Sequence, residues 1–129
     1  MTTNLLLVTH GSIGEELLES ARLTFGNALP TQCHCLSVSL ECDPERIISD
    51  THPVVKTLTA TANLLILTDL YGATPSNIAH HFAIHENVSV ITGVNLPMLI
   101  RVLNYANAPI EELLHKAVSG GQEGILLTS

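Results

Sequence analysis

The segment LLLVTHGSIGEELLESA, residues 5–21, holds a strand pattern, one histidine and a helix pattern in direct succession. Residues 5–8 form an unbroken apolar run of strand length, and apolar positions then recur with helical spacing over residues 13–21. His10 lies where the predicted strand ends and the predicted helix begins. Imidazole is the side chain whose charge changes nearest neutral pH, so this position raises the question of a chemical role.

The same alternation of strand and helix patterns continues along the chain. Four apolar segments of strand length are rich in Leu, Ile and Val, and helical patterns separate them, one of them interrupted by Pro53. Strands that are apolar throughout are buried on both faces, which predicts an α/β sheet with helices on both sides. The predicted strands are Asn4–Val8, Cys33–Leu40, Asn63–Leu67 and Val88–Thr92, followed by a last helix from about Pro109 to Val118 and a short strand at Gly124–Leu127.

Two helix starts have local signals of their own. Ser12 and Glu15 fit the capping box S-x-x-E, in which hydroxyl and carboxylate satisfy backbone N–H groups of the first turn. Thr74 is a candidate N-cap, and Pro75 follows at the first helical position, where its missing N–H has no cost. We therefore expect helices to begin after Ser12 and after Thr74.

Composition excludes several classes of protein. The 129 residues suffice for one domain, and we treat residues 1–129 as a single unit. Twelve acidic against five basic side chains repel a phosphate backbone, so we expect no nucleic-acid partner. No apolar run reaches the roughly 18 residues of a membrane span, and no secretory signal is visible, which predicts a soluble cytoplasmic protein. Three cysteines are then expected to be reduced thiols.

Two polar segments follow predicted strands, at residues 9–11 and 68–75. In an open parallel sheet the ligand site lies beyond the carboxyl ends of the strands. If the first and third strands are neighbours, His10 and Asp69 converge there. A carboxylate that accepts a hydrogen bond from one ring nitrogen fixes the tautomer, leaves the other nitrogen free as a nucleophile and stabilises the growing positive charge.

The small residues Gly72, Ala73 and Thr74 lead into a predicted helix. Their backbone N–H groups and the positive end of the helix dipole suit a phosphoryl group. Gly11 lets a donor approach the histidine with little steric hindrance, and we expect it to belong with Gly72, Ala73 and Thr74 to the phosphoryl-binding residues. A lone histidine at a strand end is more commonly structural, but the joint placement of these groups favours a functional site.

Three motifs together resemble the IIA domain of the mannose-family sugar phosphotransferase system. They are LLLVTHGSIGEELLESA at 5–21, LILTDLYGATPSN at 65–77 and VITGVNLPMLIRVL at 90–103, and the resemblance runs from residue 4 to about 127. It implies that His10 accepts a phosphoryl group from phospho-HPr and passes it to a IIB protein. Asp69 matches the carboxylate that orients this histidine.

The resemblance assigns roles to further residues. Gly72, Ala73 and Thr74 match the loop that receives the phosphoryl oxygens, and Ser76 and Asn77 open the next helix. Asn95 and Pro97 match a second loop, structural or partner-facing. Two positions depart from the family pattern, as Ala73 stands where many relatives carry Gly or Ser, and Arg101 where many carry an acidic residue. The implied mechanism requires no ATP, cofactor or metal.

The implied fold is a doubly wound, mainly parallel sheet of four strands, with the short C-terminal strand exchanged or paired in a homodimer. The resemblance covers a IIA domain alone, so we expect the IIB acceptor to be a separate polypeptide. Any membrane association would be indirect, through IIC and IID components.

Other interpretations compete with this one. A regulatory module phosphorylated on the same His10 would dock a target without feeding sugar transport, and the related subunit of dihydroxyacetone kinase is another possibility. Ser12 nearly fits the hydrolase elbow G-x-S-x-G, but His stands at the first Gly position. Metal-site candidates lack the usual spacing or a third ligand; they are Cys33, His34, Cys35, Cys42 and His52 in one group, and His81, His85 and Glu86 in the other.

Overall fold

A computed structural model describes residues 2–129 of the chain. Within that range it has the strands β1 (Thr3–His10), β2 (Cys33–Val38), β3 (Asn63–Thr68) and β4 (Val88–Thr92), and the helices α1 (Ile13–Thr24), α2 (Pro44–Thr59), α3 (Thr74–Phe82), α4 (Leu96–Asn104) and α5 (Ile110–Glu123).

The strands form one parallel sheet in the order β2-β1-β3-β4. Strand β1 is central, and its last part pairs His10 with Val38 of β2 and Val8 with Thr68 of β3. The carboxyl ends of β1 and β3 are therefore neighbours at the same edge of the sheet. The predicted α/β class and parallel sheet are confirmed.

Helices cover both faces of the sheet. Leu5 and Leu7 of β1 pack with apolar residues of α1, α4 and α5, whereas Leu6 and Val8 pack with those of α2 and α3. Adjacent β1 residues thus enter opposite cores, as side chains alternate along a strand. This explains why the strand is apolar at every position from 5 to 8.

The start of α1 differs from the predicted capping box. Ser12 is the N-cap residue, but its φ of −91° and ψ of 11° depart from the extended conformation that a capping side chain requires, and it makes no capping bond. Instead the Oγ1 atom of Thr9 accepts the Gly14 N–H at 2.8 Å. The Glu15 carboxylate accepts a hydrogen bond from the Ser37 hydroxyl at 3.0 Å. The helix begins where expected, but a strand residue caps it.

The start of α3 also differs from the prediction. Ala73, in extended conformation, is the N-cap, and Thr74 is already helical without a side-chain cap. The reason is a tight turn over Leu70–Ala73, closed by a hydrogen bond from the Ala73 N–H to the Leu70 carbonyl at 3.3 Å. This turn places Ala73, rather than Thr74, at the helix boundary.

The C-terminal strand predicted at Gly124–Leu127 is not confirmed. Helix α5 continues to Glu123, five residues beyond the predicted end at Val118, and residues 125–129 have no regular secondary structure. A strand requires a partner to accept its backbone hydrogen bonds. In the part of the chain that is described, β4 pairs with β3 alone, and its outer edge has no partner.

None of the helices within residues 2–129 combines the length and the apolar character that crossing a bilayer requires.

Candidate functional site

The two groups at the centre of the predicted site are in contact. His10 is the last residue of β1, and Asp69 directly follows β3. The Oδ2 atom of Asp69 accepts the backbone N–H of His10 at 3.0 Å and lies 2.9 Å from its Nδ1. The Asp69 side chain is only 12% exposed and that of His10 is 38% exposed. One carboxylate oxygen therefore fixes both the backbone and the ring of the histidine.

The carboxylate of Asp69 is ionised at neutral pH. Burial is the largest single influence on the pKa of Asp69, and by itself it would raise that pKa. Hydrogen bonds from the backbone and ring of His10 are each smaller effects, but together with the remaining interactions they outweigh burial. The net result is a pKa below the usual value. An ionised carboxylate only accepts hydrogen bonds. Nδ1 of His10 is therefore the donor of this pair, and in the neutral ring Nε2 has the free lone pair.

The turn after Asp69 leads directly to the N-terminus of α3. Gly72 has a φ of +83°, which L side chains rarely adopt. Since the Ala73 N–H is bonded to Leu70, it is not free for a phosphoryl oxygen. Within residues 2–129 the N–H groups of Gly72, Thr74 and Ser76 have no hydrogen-bond acceptor. These donors, at the positive end of a helix dipole, can hold an anion.

Gly11 contributes open space rather than a donor. Its N–H is bonded to the Val38 carbonyl at 3.0 Å, so it is not available to a ligand. A Cβ built at this position would have no atom within 4 Å. The chain beside His10 is therefore free of obstruction on this side.

Ser76 and Asn77 have structural contacts. The Ser76 carbonyl accepts a hydrogen bond from His80 Nδ1 at 2.7 Å, and its hydroxyl lies 3.3 Å from the same atom. The Asn77 N–H donates to the Ala73 carbonyl at 3.0 Å, which is the first helical bond of α3. Both residues stabilise the helix that presents the free N–H groups.

Asn95 and Pro97 connect α4 to α5. The Oδ1 atom of Asn95 caps α4 by accepting the Met98 N–H at 2.9 Å, while its Nδ2 donates to the Gly121 carbonyl at 3.1 Å. A Cβ at Gly124 would overlap the Pro97 ring, which shows how closely the helices approach. Arg101 pairs with Glu123 of α5 at 3.0 Å. These contacts join the start of α4 to the end of α5.

Sequence reasoning missed three residues near the site. Thr9 is 1% exposed and caps α1, as described above. Leu70 and Tyr71, in the turn after Asp69, are 60% and 77% exposed. Two large apolar side chains inside an otherwise small and polar loop are the signal that could have identified an exposed contact surface.

The alternative sites do not assemble. Burial raises the pKa of Cys33 to about 12, and burial followed by the charge of Glu15 raises that of Cys35 to about 11, so both thiols are protonated. No three His, Cys, Asp or Glu side chains come together as a metal site among the residues described. Within residues 2–129 the Ser12 hydroxyl makes no hydrogen bond to a histidine or other base of the kind a hydrolase nucleophile has.

Comparison with known proteins identifies the family. Residues 4–118 match the family profile described as EIIA-man, PTS system fructose IIA component. The chain is 30% identical over 128 residues to the PTS system mannose-specific EIIAB component of Escherichia coli K12. That alignment covers 97% of this chain but 39% of the relative, so the chain spans about two fifths of that protein's length.

Solved structures agree with the family match. The mannose/sorbose specific IIA subunit of the phosphotransferase system from Enterococcus faecalis superposes with a TM-score of 0.83 at 26% identity, over 100% of this chain and 96% of that one. The PTS IIA protein associated with the fucose utilization operon of Streptococcus pneumoniae shares the fold, with a TM-score of 0.81 at 22% identity over 98% and 93% of the two chains. The chain therefore belongs to the mannose-type IIA family, the IIA components of the sugar phosphotransferase system.

Proposed function

We propose that this IIA component is a cytoplasmic phosphoryl carrier that accepts a phosphoryl group from phospho-HPr on Nε2 of His10 and passes it to a separate IIB protein. The observation that carries this proposal is the 2.9 Å contact between Nδ1 of His10 and Asp69, because it leaves Nε2 as the free nucleophile. In the first transfer the N–P bond of phospho-HPr breaks as an N–P bond to Nε2 forms. Nδ1 keeps its proton, so the phosphorylated ring is positively charged.

Asp69 has two effects in this cycle. It holds the ring in the reactive tautomer before transfer, and its negative charge stabilises the positive ring afterwards. The phosphoryl oxygens would be held by the free N–H groups of Gly72, Thr74 and Ser76 at the start of α3. This assignment moves the backbone contact from Ala73 to its neighbours. Gly11 keeps the approach to His10 open.

The exposed side chains of Leu70 and Tyr71 adjoin this site. Donor and acceptor proteins must both approach Nε2 of His10, so each would cover this turn while the phosphoryl group moves. We therefore assign Leu70 and Tyr71 to the docking surface that the two partners use in succession.

The test is transfer of radioactive phosphate from phosphoenolpyruvate through enzyme I and HPr. We expect His10→Ala to abolish labelling and Asp69→Asn to slow it by on the order of 10²- to 10⁴-fold with the fold retained. His115→Ala, which removes an exposed imidazole from α5, is the matched control and should label at the wild-type rate. Equal labelling of the wild type and His10→Ala would refute the assignment.

A second step separates a carrier from a phosphorylation-state sensor. The labelled protein is mixed with candidate IIB proteins, and loss of label is followed over time. Rapid onward transfer to one of them supports the carrier. A phosphoprotein that keeps its label with every IIB tested would indicate the regulatory role instead.

We further propose that the protein is a homodimer joined by its C-terminal segment. Ile125, Leu126 and Leu127 are 77%, 75% and 95% exposed, which is unusual for three consecutive apolar residues. The outer edge of β4 has no partner within residues 2–129 and can accept another strand. Pairing of this segment with β4 of a second copy would cover the exposed apolar side chains and give the outer edge of β4 a partner strand.

A further inference from the structure

A cavity of about 310 Å³ lies between α2 and the loop that follows α3. Its lining residues are His52, Val55, Lys56, Thr59 and His85. Helix α3 begins at the edge of the sheet that carries His10 and runs away from it for nine residues, roughly 14 Å at 1.5 Å per residue. His85 lies beyond its far end, so this cavity is separate from the phosphoryl site.

Lys56 differs from the other basic residues of this acidic protein, whose formal net charge is −7. Within residues 2–129 it is the basic side chain without an ion pair or aromatic partner. The remaining four are partnered, Arg22 by Glu19, Arg46 by Asp50, Arg101 by Glu123 and Lys116 by the ring of Tyr105. Lys56 is exposed, so its ammonium group is free to pair with an anion from solution.

Two imidazoles line the same cavity as this ammonium group. His52 and Lys56 are four residues apart on α2 and so share one face of the helix, while His85 faces them from the loop after α3. In the described chain none of these three side chains makes a hydrogen bond. No carboxylate lines the cavity, although Glu86 follows His85 in sequence. Three exposed nitrogen-bearing side chains therefore line one cavity, and its lining includes no carboxylate.

We propose that this cavity binds a phosphate monoester, with the dianionic phosphate held by Lys56, His52 and His85. A divalent tetrahedral anion can accept hydrogen bonds from several nitrogen donors at once, and a lysine point charge is suited to it. The cavity holds about ten times the roughly 30 Å³ share of one water molecule, which leaves room for a carbon skeleton beside the phosphate. Val55 supplies an apolar wall for that skeleton. The Thr59 hydroxyl already donates to the Val55 carbonyl at 2.8 Å and can only accept.

The test is a titration of the full chain, followed by NMR of the imidazole ¹H–¹³C signals. The probes are glucose 6-phosphate, inorganic phosphate and glucose at constant ionic strength. We expect glucose 6-phosphate to shift the His52 and His85 signals with saturation, inorganic phosphate to bind more weakly and glucose not to bind. Equal affinity for inorganic phosphate and glucose 6-phosphate would overturn the assignment to a monoester.

Charge variants locate the binding. Lys56→Gln should weaken glucose 6-phosphate binding at least tenfold, and Lys56→Arg should retain it. Lys116→Gln, which removes the same charge from α5, and His10→Ala should each change the affinity less than twofold. Equal weakening by Lys56→Gln and Lys116→Gln, or shifts confined to the His10 signals, would contradict the proposal. Because binding is read at His52 and His85 without phosphoryl transfer, its failure would leave the carrier function untouched.

Discussion

At the scale of single residues, the lowered pKa of Asp69 makes the stability of the fold depend on pH. A carboxyl group whose pKa is lower in the folded than in the unfolded state stabilises the fold above its unfolded pKa, near 3.9. That contribution is lost as the pH falls through the folded value. At pH 7 we expect Asp69→Asn to lower the free energy of unfolding by about 1.5 to 3 kcal/mol, the range for hydrogen bonds to charged groups.

Urea denaturation of both proteins between pH 7 and pH 2.5 measures this effect. The difference between wild type and Asp69→Asn should be constant above about pH 5 and should shrink below about pH 4, where the carboxyl group becomes protonated. A difference that stays constant down to pH 2.5 would show that Asp69 does not titrate as the structure implies.

The pairing of His10 with Asp69 could be predicted because both follow buried strands, and such positions meet at one edge of a parallel sheet. Which backbone N–H groups are bonded within the protein and which are free for a ligand could not be predicted. Gly11 and Ala73 were expected to serve the phosphoryl group, but their N–H groups are bonded to Val38 and Leu70. Those bonds depend on how two turns close in three dimensions, which residue type alone does not determine.

At the scale of elements, the start of α1 allows the hydroxyl of Thr9, which caps the helix, to be compared with that of Ser12, which does not. We expect Thr9→Val to lower the free energy of unfolding by about 1 to 2 kcal/mol, because it leaves the Gly14 N–H without its acceptor. Ser12→Ala should change it by less than about 0.5 kcal/mol, since Ser12 makes no capping bond. Thermal denaturation of the two variants checks the order. A larger loss of stability from Ser12→Ala than from Thr9→Val would instead support the capping box that the sequence predicted.

Existence and type of the elements were easier to predict than their ends. All four apolar segments are strands, and β4 has the predicted bounds Val88–Thr92. Strand β2 ends at Val38 rather than Leu40, and α2 continues through Pro53 instead of being interrupted there. Apolar spacing reports which residues are buried, whereas the ends depend on turns and on contacts with other elements. A helix can also lose one hydrogen bond at a proline when its packing compensates.

The contact between α4 and α5 depends on glycines at its closest point. A Cβ at Gly120 would lie 2.7 Å from Arg101 Cβ, an atom that cannot move without its backbone. At Gly121 the nearest atom is Met98 Cε, at 2.9 Å, the flexible end of a side chain. Gly120→Ala should therefore destabilise the protein by about 1 to 3 kcal/mol, despite the roughly 1 kcal/mol that alanine gains in a helix.

Gly121→Ala is the matched control, one position further along the same helix. Its added methyl group requires the Met98 side chain to rotate away from a 2.9 Å contact at Cε and Met98 Cβ, at 3.3 Å, to shift by a few tenths of an ångström. We therefore expect a smaller loss of stability, offset in part by the same gain in helix propensity. Chemical denaturation of both variants gives the comparison. Equal destabilisation would contradict this argument, because it would mean that the protein accommodates a methyl group against Arg101 Cβ as easily as one against Met98 Cε.

At the scale of the whole molecule, the strand order explains why the site exists. Because β1 lies between β2 and β3, its C-terminal residue has neighbours on both sides. Val38 of β2 holds Gly11, and Asp69 after β3 holds His10. The periodicity of the sequence indicates strands but not their order, so the meeting of His10 and Asp69 could be predicted only on the assumption that β1 and β3 are neighbours. The resemblance to a known family supplied what periodicity could not.

The unpaired β4 edge and the exposed segment 125–129 lead to a prediction about the assembly. If the segment pairs with β4 of a second copy, burial of its apolar side chains contributes about 1.5 to 3 kcal/mol each, so removing residues 125–129 should weaken self-association at least about 100-fold. Sedimentation velocity over a range of concentrations measures this change. Leu40→Ser is the matched control, because it removes a leucine that is 99% exposed elsewhere on the surface and should leave the dimer intact. A full-length chain that stays monomeric at high micromolar concentration would contradict the proposed dimer, since the open edge of β4 would then be stable without a partner strand.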